Sequence, residues 1–309
     1  MSKASDACRT TSDYGSPMAH DITTGSVSAN GLTFHYLECG TGPLALCLHG
    51  FPDSAHSWRH LLPALASAGF RAVAPFTRGY APTSLATDGM YQTGALSADA
   101  NALHDALGAD SNAVLIGHDW GAPSVYGAAA SAPEKWRRVV GMSVPPGPAM
   151  GAAFVTNQEQ LKRSWYMFFF QVALADLVVP SNDLAFIDML WRDWSPGYDG
   201  AIDAENCKAA LRDPAHLQAA LGYYRATLGT GARKPEYDAI QAAGGGELVQ
   251  PTLYLHGAND GCIGREVAES VSVLSPWATV QIVEGAGHFL QLEKPVEVNS
   301  LIIDWITAS

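Results

Sequence analysis

Residues 114–121 read Val-Leu-Ile-Gly-His-Asp-Trp-Gly, and this stretch decides the fold. Its apolar start predicts a buried strand, and the alanine-rich segment that follows, residues 122–130, predicts a helix. The Gly-x-Asp-x-Gly pattern between them is typical of a sharp turn, where small residues are needed because Cβ atoms would clash. Such a turn presents the side chain of Asp119 above the carboxyl edge of a sheet. An ordinary strand–turn–helix unit with an N-cap aspartate is the alternative.

Further strands flank this unit on both sides. Asn30-Gly31 between apolar-rich runs predicts a hairpin over residues 26–37. Continuous apolar runs, which are typical of strands buried on both faces of a parallel sheet, lie at residues 44–48, 71–75, 113–116, 139–143, 252–255 and 279–283. Apolar residues between Leu96 and Leu107 recur with the helical period. The alternation of strands and helices predicts an α/β fold with a doubly wound, mostly parallel sheet.

The alternation stops between residues 145 and 236, a region that begins with Pro-Pro-Gly-Pro. Its periodicity predicts helices at 159–175, 182–192 and 214–228 and no strand. We therefore expect a mobile tail at residues 1–20, a core formed by residues 21–144 and 237–309, and a helical cap domain at residues 145–236. A cap has to roof a pocket, so some of its many aromatic side chains are expected to line that pocket.

Composition excludes several classes of protein. The chain has 18 Lys and Arg against 30 Asp and Glu, a net charge of −12 over 309 residues. Without a basic patch we expect neither a nucleic-acid partner nor an anionic membrane surface. Five cysteines at wide spacing, with no Cys-x-x-Cys pair, indicate buried thiols in the cytoplasm rather than disulfides or a zinc site. We expect no metal and no cofactor, and the oligomeric state stays open, a homodimer included.

Three more motifs follow predicted strands. His49-Gly50-Phe51-Pro52 comes directly after the strand at 44–48, where a loop of this kind supplies an oxyanion-hole N–H. The expected donors are the N–H groups of Phe51 and Trp120, although a plain Gly/Pro turn would also explain the motif. Asp260 and His288 follow the strands at 252–255 and 279–283. The order nucleophile, acid, histidine is that of α/β-hydrolases, and all three lie where such sheets place ligands. We therefore predict the α/β-hydrolase fold with Asp119, Asp260 and His288 as a catalytic triad.

An aspartate in the nucleophile position selects the substrate. A carboxylate attacking a carbonyl would give a labile anhydride, whereas at an sp³ carbon it gives a stable alkyl ester. Water activated by His288, which Asp260 orients, would then cleave that ester. The substrate is therefore an epoxide or an alkyl halide. An epoxide oxygen leaves as an alkoxide and needs an acid, whereas a halide needs only weak N–H donors.

These motifs, together with Arg78-Gly79-Tyr80 and Gly287-His288-Phe289, resemble the epoxide hydrolase family of soluble and microsomal type over residues 22–307. The resemblance implies hydrolysis of a small apolar epoxide to a vicinal diol. It also implies that two cap tyrosines hydrogen-bond the epoxide oxygen. One of these tyrosines lies a few residues before a Phe-Gln pair, and Tyr166 has this position here. The other directly precedes an arginine, and Tyr224 has this position. Tyr223 is expected to point elsewhere, and plain aromatic packing is the alternative for both residues.

The sequence leaves other hypotheses about the function open. Haloalkane dehalogenases share Asp119 and Trp120, but they usually carry a polar Asn where this chain has the apolar Phe51. Fluoroacetate dehalogenases typically carry an arginine at the position of Trp120. Phe76 departs from the epoxide hydrolases, which often have Asp there. A non-catalytic ligand-binding scaffold is the remaining alternative, and it would normally have lost a member of the triad.

Overall fold

The computed structural model describes residues 21–308; the predicted N-terminal tail, residues 1–20, lies outside them. The described chain forms one eight-stranded sheet in the order β1-β2-β4-β3-β5-β6-β7-β8. The first hairpin is antiparallel and β2 runs antiparallel to β4, whereas all pairs from β4 onward are parallel. The predicted α/β-hydrolase sheet is therefore confirmed. The strands are β1 (Thr23–Ala29), β2 (Leu32–Cys39), β3 (Leu44–Leu48), β4 (Arg71–Pro75), β5 (Val114–His118), β6 (Arg138–Met142), β7 (Thr252–Gly257) and β8 (Ala278–Val283).

Helices cover both faces of this sheet. Side chains of β3 alternate between them: Ala45 and Cys47 pack with the cluster that contains α1, α12 and α14, and Leu46 packs with the cluster that contains α2 and α3. Burial on both faces explains why the central strands read as continuous apolar runs. The helices are α1 (Leu61–Ser67), α2 (Thr93–Ala106), α3 (Gly121–Ser131), α4 (Ala149–Thr156), α5 (Gln158–Arg163), α6 (Trp165–Phe169), α7 (Ala175–Val178), α8 (Ser181–Trp194), α9 (Ala201–Leu211), α10 (Pro214–Leu228), α11 (Pro235–Ala243), α12 (Arg265–Leu274), α13 (Leu290–Glu293) and α14 (Pro295–Thr307).

The hairpin turn forms where the sequence predicts it. Asn30 and Gly31 have φ angles of 43° and 76°, which places both residues in the left-handed region. A two-residue hairpin turn needs positive φ at both positions, and Asn-Gly meets this requirement with little strain. The strands of the hairpin extend a few residues beyond the predicted 26–37.

The helical region between β6 and β7 differs from the prediction in one place. The helix expected over 159–175 is three short helices, α5, α6 and α7. Ser164 ends α5 with a ψ of 13°, and its hydroxyl accepts a hydrogen bond from the side chain of Gln160. The sequence does not predict this break, because Lys162, Arg163 and Ser164 are residue types that the interior of a helix tolerates. The single-helix prediction was wrong.

The other helices of this region agree better with their predictions. α8 contains the predicted 182–192, but Asn182, Asp183 and Leu184 are left-handed, so the regular helix begins only after them. α10 matches the predicted 214–228, with Pro214 in its first turn and the Asp213 carboxylate accepting two backbone N–H groups. None of the helices within residues 21–308 is both long and apolar enough to cross a membrane.

α11 returns the chain to the sheet and packs on α2 and α3. Glycines make this contact close: a Cβ on Gly94 would lie 1.9 Å from the carbonyl oxygen of Tyr237, and one on Gly244 would lie 2.7 Å from the backbone nitrogen of Gly127. The three helices are thereby held at backbone-to-backbone distance, directly behind the turn that carries Asp119.

Candidate active site

Asp119 lies on a strained turn at the carboxyl end of β5. Its φ angle is 52°, in the region that non-glycine residues rarely adopt. The flanking glycines are needed for close approach, because a Cβ on Gly117 would lie 2.3 Å from the carbonyl oxygen of Gly121. A Cβ on Gly121 would lie 2.0 Å from the carbonyl oxygen of Leu48. The Gly-x-Asp-x-Gly pattern therefore reflects a sharp turn rather than an N-cap.

The loop after β3 lies against the carboxylate of Asp119. The N–H of Phe51 donates a hydrogen bond of 2.6 Å to Oδ1. A Cβ on Gly50 would lie 2.1 Å from the same oxygen and 2.4 Å from the backbone nitrogen of Trp120, so only glycine fits there. Both predicted N–H groups thus lie at this end of the carboxylate, although within residues 21–308 only that of Phe51 is hydrogen-bonded to it.

His288 lies between two carboxylates. Its Nδ1–H donates to Oδ2 of Asp260 at 2.9 Å, and its Nε2 is 3.5 Å from Oδ2 of Asp119. The other oxygen of Asp260 accepts the N–H groups of Cys262 and Ile263 at 2.7 and 2.9 Å. All three side chains of the predicted triad are buried. The structure therefore brings Asp119, His288 and Asp260 together in that order.

Charge at this cluster shifts two pKa values in opposite directions. Burial alone would lower the pKa of His288, but the carboxylates of Asp260 and Asp119 outweigh it and raise that pKa to about 10. Burial would raise the pKa of Asp260, but the His288 imidazolium outweighs it and holds this pKa below its usual value. With Asp119 charged, His288 is therefore an imidazolium at neutral pH.

Two hydrogen bonds from the core hold the backbone of His288. Its carbonyl accepts the hydroxyl of Ser143 at 2.7 Å and Nε2–H of His118 at 2.9 Å. His118 lies next to Asp119 in sequence, but its ring binds the backbone of the loop that carries His288. The ring of His49 also has a structural contact, since its Nε2 accepts the N–H of Thr77 at 3.0 Å.

The C-terminal end of α8 holds the same loop from the other side. The carbonyl of Trp194 accepts the N–H groups of His288 and Gly261, each at 3.0 Å. Ser195 accepts the N–H of Phe289 at 3.1 Å and donates to Glu293 at 2.6 Å, and Glu293 accepts the N–H of Gly287 at 2.7 Å. Sequence reasoning missed Ser143, Ser195 and Glu293, because these bonds join residues that no local motif connects.

Tyr166 and Tyr224 both lie beside Asp119. Their rings are 5.6 Å apart and both are buried. The hydroxyl of Tyr224 is within reach of the side chains of Trp120 and Tyr166, but it makes no hydrogen bond of good geometry within the described residues. Burial raises the pKa of both hydroxyls well above the usual value, so both stay protonated at neutral pH. Tyr223 points away, donating to the carbonyl of Arg78.

A cavity of about 250 Å³ opens onto these groups. One end carries the polar groups of Asp119, Tyr166, Tyr224 and Cys262, and the walls between helices are mostly apolar. Such a lining suits a small apolar substrate with one reactive polar centre. The remaining lining residues are Thr93, Trp120, Pro123, Tyr126, Val144, Pro145, Gly147, Met150, Phe154, Met167, Thr227, Gln241, Gly244, Gly245 and Ile263.

The group that comes nearest to a metal-binding arrangement in the described chain is part of this site. Ligand atoms of Asp260, Cys262 and His288 lie within 4.8 Å of one another. Asp260 and His288 are already hydrogen-bonded to each other, and burial raises the pKa of the Cys262 thiol well above its usual value. A protonated thiol is a poor metal ligand.

Comparison with known proteins places the chain in a family. The sequence matches the α/β hydrolase fold family over residues 43–295. It is 29% identical to the AB hydrolase superfamily protein YfhM of Bacillus subtilis, covering 91% of this chain and 96% of that protein. It is 30% identical to epoxide hydrolase A of Mycobacterium tuberculosis, covering 91% of this chain and 96% of that protein. The crystal structure of epoxide hydrolase A from Mycobacterium thermoresistibile superposes with a TM-score of 0.75 at 27% identity, over 92% of this chain and 98% of that one.

The chain belongs to the epoxide hydrolase family of α/β-hydrolases. The family predicted from the motifs is therefore confirmed. Two of the motifs that predicted the family, at residues 49–52 and 287–289, meet the carboxylate of Asp119 on its turn.

Proposed function

We propose that this protein hydrolyses small apolar epoxides to vicinal diols through a covalent alkyl ester on Asp119. The observation that carries the proposal is the pairing of an aspartate on the sharp turn with two buried, protonated tyrosine hydroxyls in one cavity. An aspartate nucleophile suits an sp³ carbon, and the tyrosines suit a leaving oxygen. Membership of the epoxide hydrolase family supports the same reaction.

The first step opens the ring. Oδ1 of Asp119 is held by the N–H of Phe51, so Oδ2 is the oxygen available to attack a ring carbon. The bond from that carbon to the epoxide oxygen breaks, and the oxygen takes a proton from Tyr166 or Tyr224. General acid catalysis of this kind contributes roughly 10²- to 10⁴-fold. The products of the step are a hydroxyalkyl ester of Asp119 and a tyrosinate.

The second step releases the diol. Esterification removes the charge of Asp119, and with it one of the two carboxylates that raise the pKa of His288. The imidazolium can then lose its proton to solvent, and the neutral imidazole acts as a base toward water, while Asp260 stabilises the imidazolium that forms again. Water gives a proton to His288 and attacks the carboxyl carbon of Asp119. The bond from this carbon to Oδ2 then breaks, and the departing diol oxygen takes the proton from His288. The oxyanion that develops on Oδ1 receives hydrogen bonds from the N–H groups of Phe51 and Trp120.

In this proposal residues 145–236 form a cap domain over a core of residues 21–144 and 237–309. The cap contributes Tyr166 from α6 and Tyr224 from α10. The core contributes the triad and the loop after β3 that carries Phe51. The division explains why the tyrosines and the nucleophile meet in one cavity. The proposed chemistry uses water as the only second substrate and requires no cofactor.

Parallel assays test the proposal directly. Purified protein would be offered styrene-oxide-type epoxides and bromoalkanes of similar size, with diol and bromide measured separately. We expect diol formation from the wild type and none from Asp119→Asn. Bromide release much faster than diol formation would assign the protein to the haloalkane dehalogenases. Tight ligand binding with neither product would indicate a non-catalytic scaffold.

A further inference from the structure

The thiol of Cys262 lies in the catalytic cavity, and the proposed reaction leaves it without a role. Its Sγ is 3.2 Å from the hydroxyl oxygen of Tyr166, and both residues line the cavity. The backbone of Cys262 is held on both sides, since its N–H donates to Asp260 at 2.7 Å and its carbonyl accepts the side chain of Gln160 at 2.9 Å. The thiol is therefore fixed in place beside the hydroxyl of a proposed acid.

Either atom of this pair can be the donor, and the surroundings favour the thiol. Both oxygens of Asp260 already accept hydrogen bonds, Oδ1 from two N–H groups and Oδ2 from His288. The hydroxyl oxygen of Tyr166, 3.2 Å from Sγ, is an acceptor that the S–H can use. A thiol proton directed at this oxygen leaves the proton of Tyr166 free to point into the cavity. The reverse bond would turn the tyrosine proton toward sulfur.

We propose that Cys262 is a positioning residue for ring opening, whose S–H donates to the hydroxyl oxygen of Tyr166. The inference rests on the proposed function. When Tyr166 gives its proton to the epoxide oxygen, the C–O bond breaks and the negative charge moves to the tyrosine oxygen, which the S–H then stabilises without transferring its own proton. The tyrosinate regains a proton from the carboxyl group of Asp119, which hydrolysis of the ester sets free.

The two tyrosines are unequal in this arrangement. Tyr224 packs against Phe51 and Trp120 through ring contacts at 5.2 and 5.1 Å, and within residues 21–308 its hydroxyl has no hydrogen-bond partner, sulfur included. Removal of the thiol should therefore affect proton donation by Tyr166 and leave that by Tyr224 intact.

Rapid-quench single turnovers, with the alkyl-enzyme followed by mass spectrometry, separate ring opening from ester hydrolysis. In Cys262→Ala we expect the ring-opening rate to fall about three- to tenfold, the loss of one hydrogen bond, with an unchanged hydrolysis rate. Cys262→Ser keeps a donor and should retain most of the rate. Cys207→Ala is the matched control, because Cys207 is equally buried but lies outside the cavity.

A double-mutant cycle completes the test. In a Tyr166→Phe background, Cys262→Ala should cause no further loss of the ring-opening rate. The inference is overturned by an equal loss in that background, by an equal loss in Cys262→Ser, by a loss confined to hydrolysis, or by a wild-type rate in Cys262→Ala. A wild type that forms no alkyl-enzyme overturns the proposed function itself, so the two failures are distinguishable.

Discussion

The N–H of Phe51 donates a 2.6 Å hydrogen bond to Oδ1 of Asp119, and this contact assigns different tasks to the two carboxylate oxygens. In the proposed mechanism Oδ1 lies where the charge of the second step develops. Oδ2 lies 3.5 Å from Nε2 of His288 and is the oxygen that the proposal assigns to the attack. The proposed mechanism thus uses one oxygen in each step.

Removal of the base should stop the reaction at the ester. His288→Gln keeps the nucleophile, which needs no base, but it cannot activate water. We expect a stoichiometric rise in mass equal to the epoxide, with a hydrolysis rate lower by at least about 10²-fold. Asp119→Asn should show no such adduct. Intact-protein mass spectrometry after mixing checks both, and an adduct on Asp119→Asn would show that another group is alkylated.

Tyr166 and Tyr224 should share one task, the donation of a proton to the epoxide oxygen. Tyr166→Phe and Tyr224→Phe should each lower the ring-opening rate about 10- to 100-fold, and the double variant should be nearly inactive, because each hydroxyl can donate in part for the other. Tyr223→Phe is the control, since its hydroxyl donates to the carbonyl of Arg78 outside the cavity. Stopped-flow measurement of diol formation, with circular dichroism to verify folding, provides the comparison. Full turnover by Tyr224→Phe would remove Tyr224 from the mechanism.

The pH dependence of the two steps should differ. The carboxylates of Asp260 and Asp119 raise the pKa of His288 to about 10 in the free enzyme, against its burial. In the ester Asp119 is uncharged, so the pKa of His288 falls. Hydrolysis of the ester needs neutral imidazole; its rate should therefore rise with pH and level off well below pH 10. A hydrolysis rate that keeps rising to pH 10 in rapid-quench experiments would contradict this change in pKa.

The same shift predicts how stability depends on pH. The pKa of His288 in the folded protein is raised above its ordinary 6.5. The contribution of the His288 imidazolium to the free energy of unfolding is therefore fully present below pH 6.5 and is lost as the pH rises through about 10. Urea unfolding of the wild type and His288→Gln should therefore show a difference in the free energy of unfolding that shrinks across this range. A constant difference would mean that the imidazolium is not stabilised in the folded state.

Ser195 should help to hold His288 in position although it is not among the residues that line the cavity. Its hydroxyl links the N–H of Phe289 to Glu293, which in turn holds Gly287. Ser195→Ala leaves buried groups unpaired, at roughly 1–3 kcal/mol. We expect the ester-hydrolysis rate to fall several-fold while ring opening changes little. Ser67→Ala, which removes an exposed hydroxyl bonded to the carbonyl of Pro63 in the same helix, is the control.

The sequence predicted the parts of the site that are local. The turn at Asp119 depends on residues within two positions of it, and Asp260 and His288 could be placed because each lies in a loop directly after a predicted strand. The bonds that orient His288 could not be predicted in this way. Ser143 lies 145 residues from His288, and Ser195 lies 94 residues from Phe289, so only the folded chain brings them together. The break at Ser164 could not be predicted either, because the residues around it, Lys162, Arg163 and Ser164, do not themselves end a helix.

Isotope labelling in a single turnover tests the central claim, that Asp119 makes the new carbon–oxygen bond. Excess enzyme would be mixed with epoxide in oxygen-18 water, and the first diol and the peptide that carries Asp119 would be analysed by mass spectrometry. The covalent mechanism predicts an unlabelled first diol and one oxygen-18 atom in the side chain of Asp119. A labelled first diol with unlabelled Asp119 would show direct attack by water, and Asp119 would then not be the nucleophile.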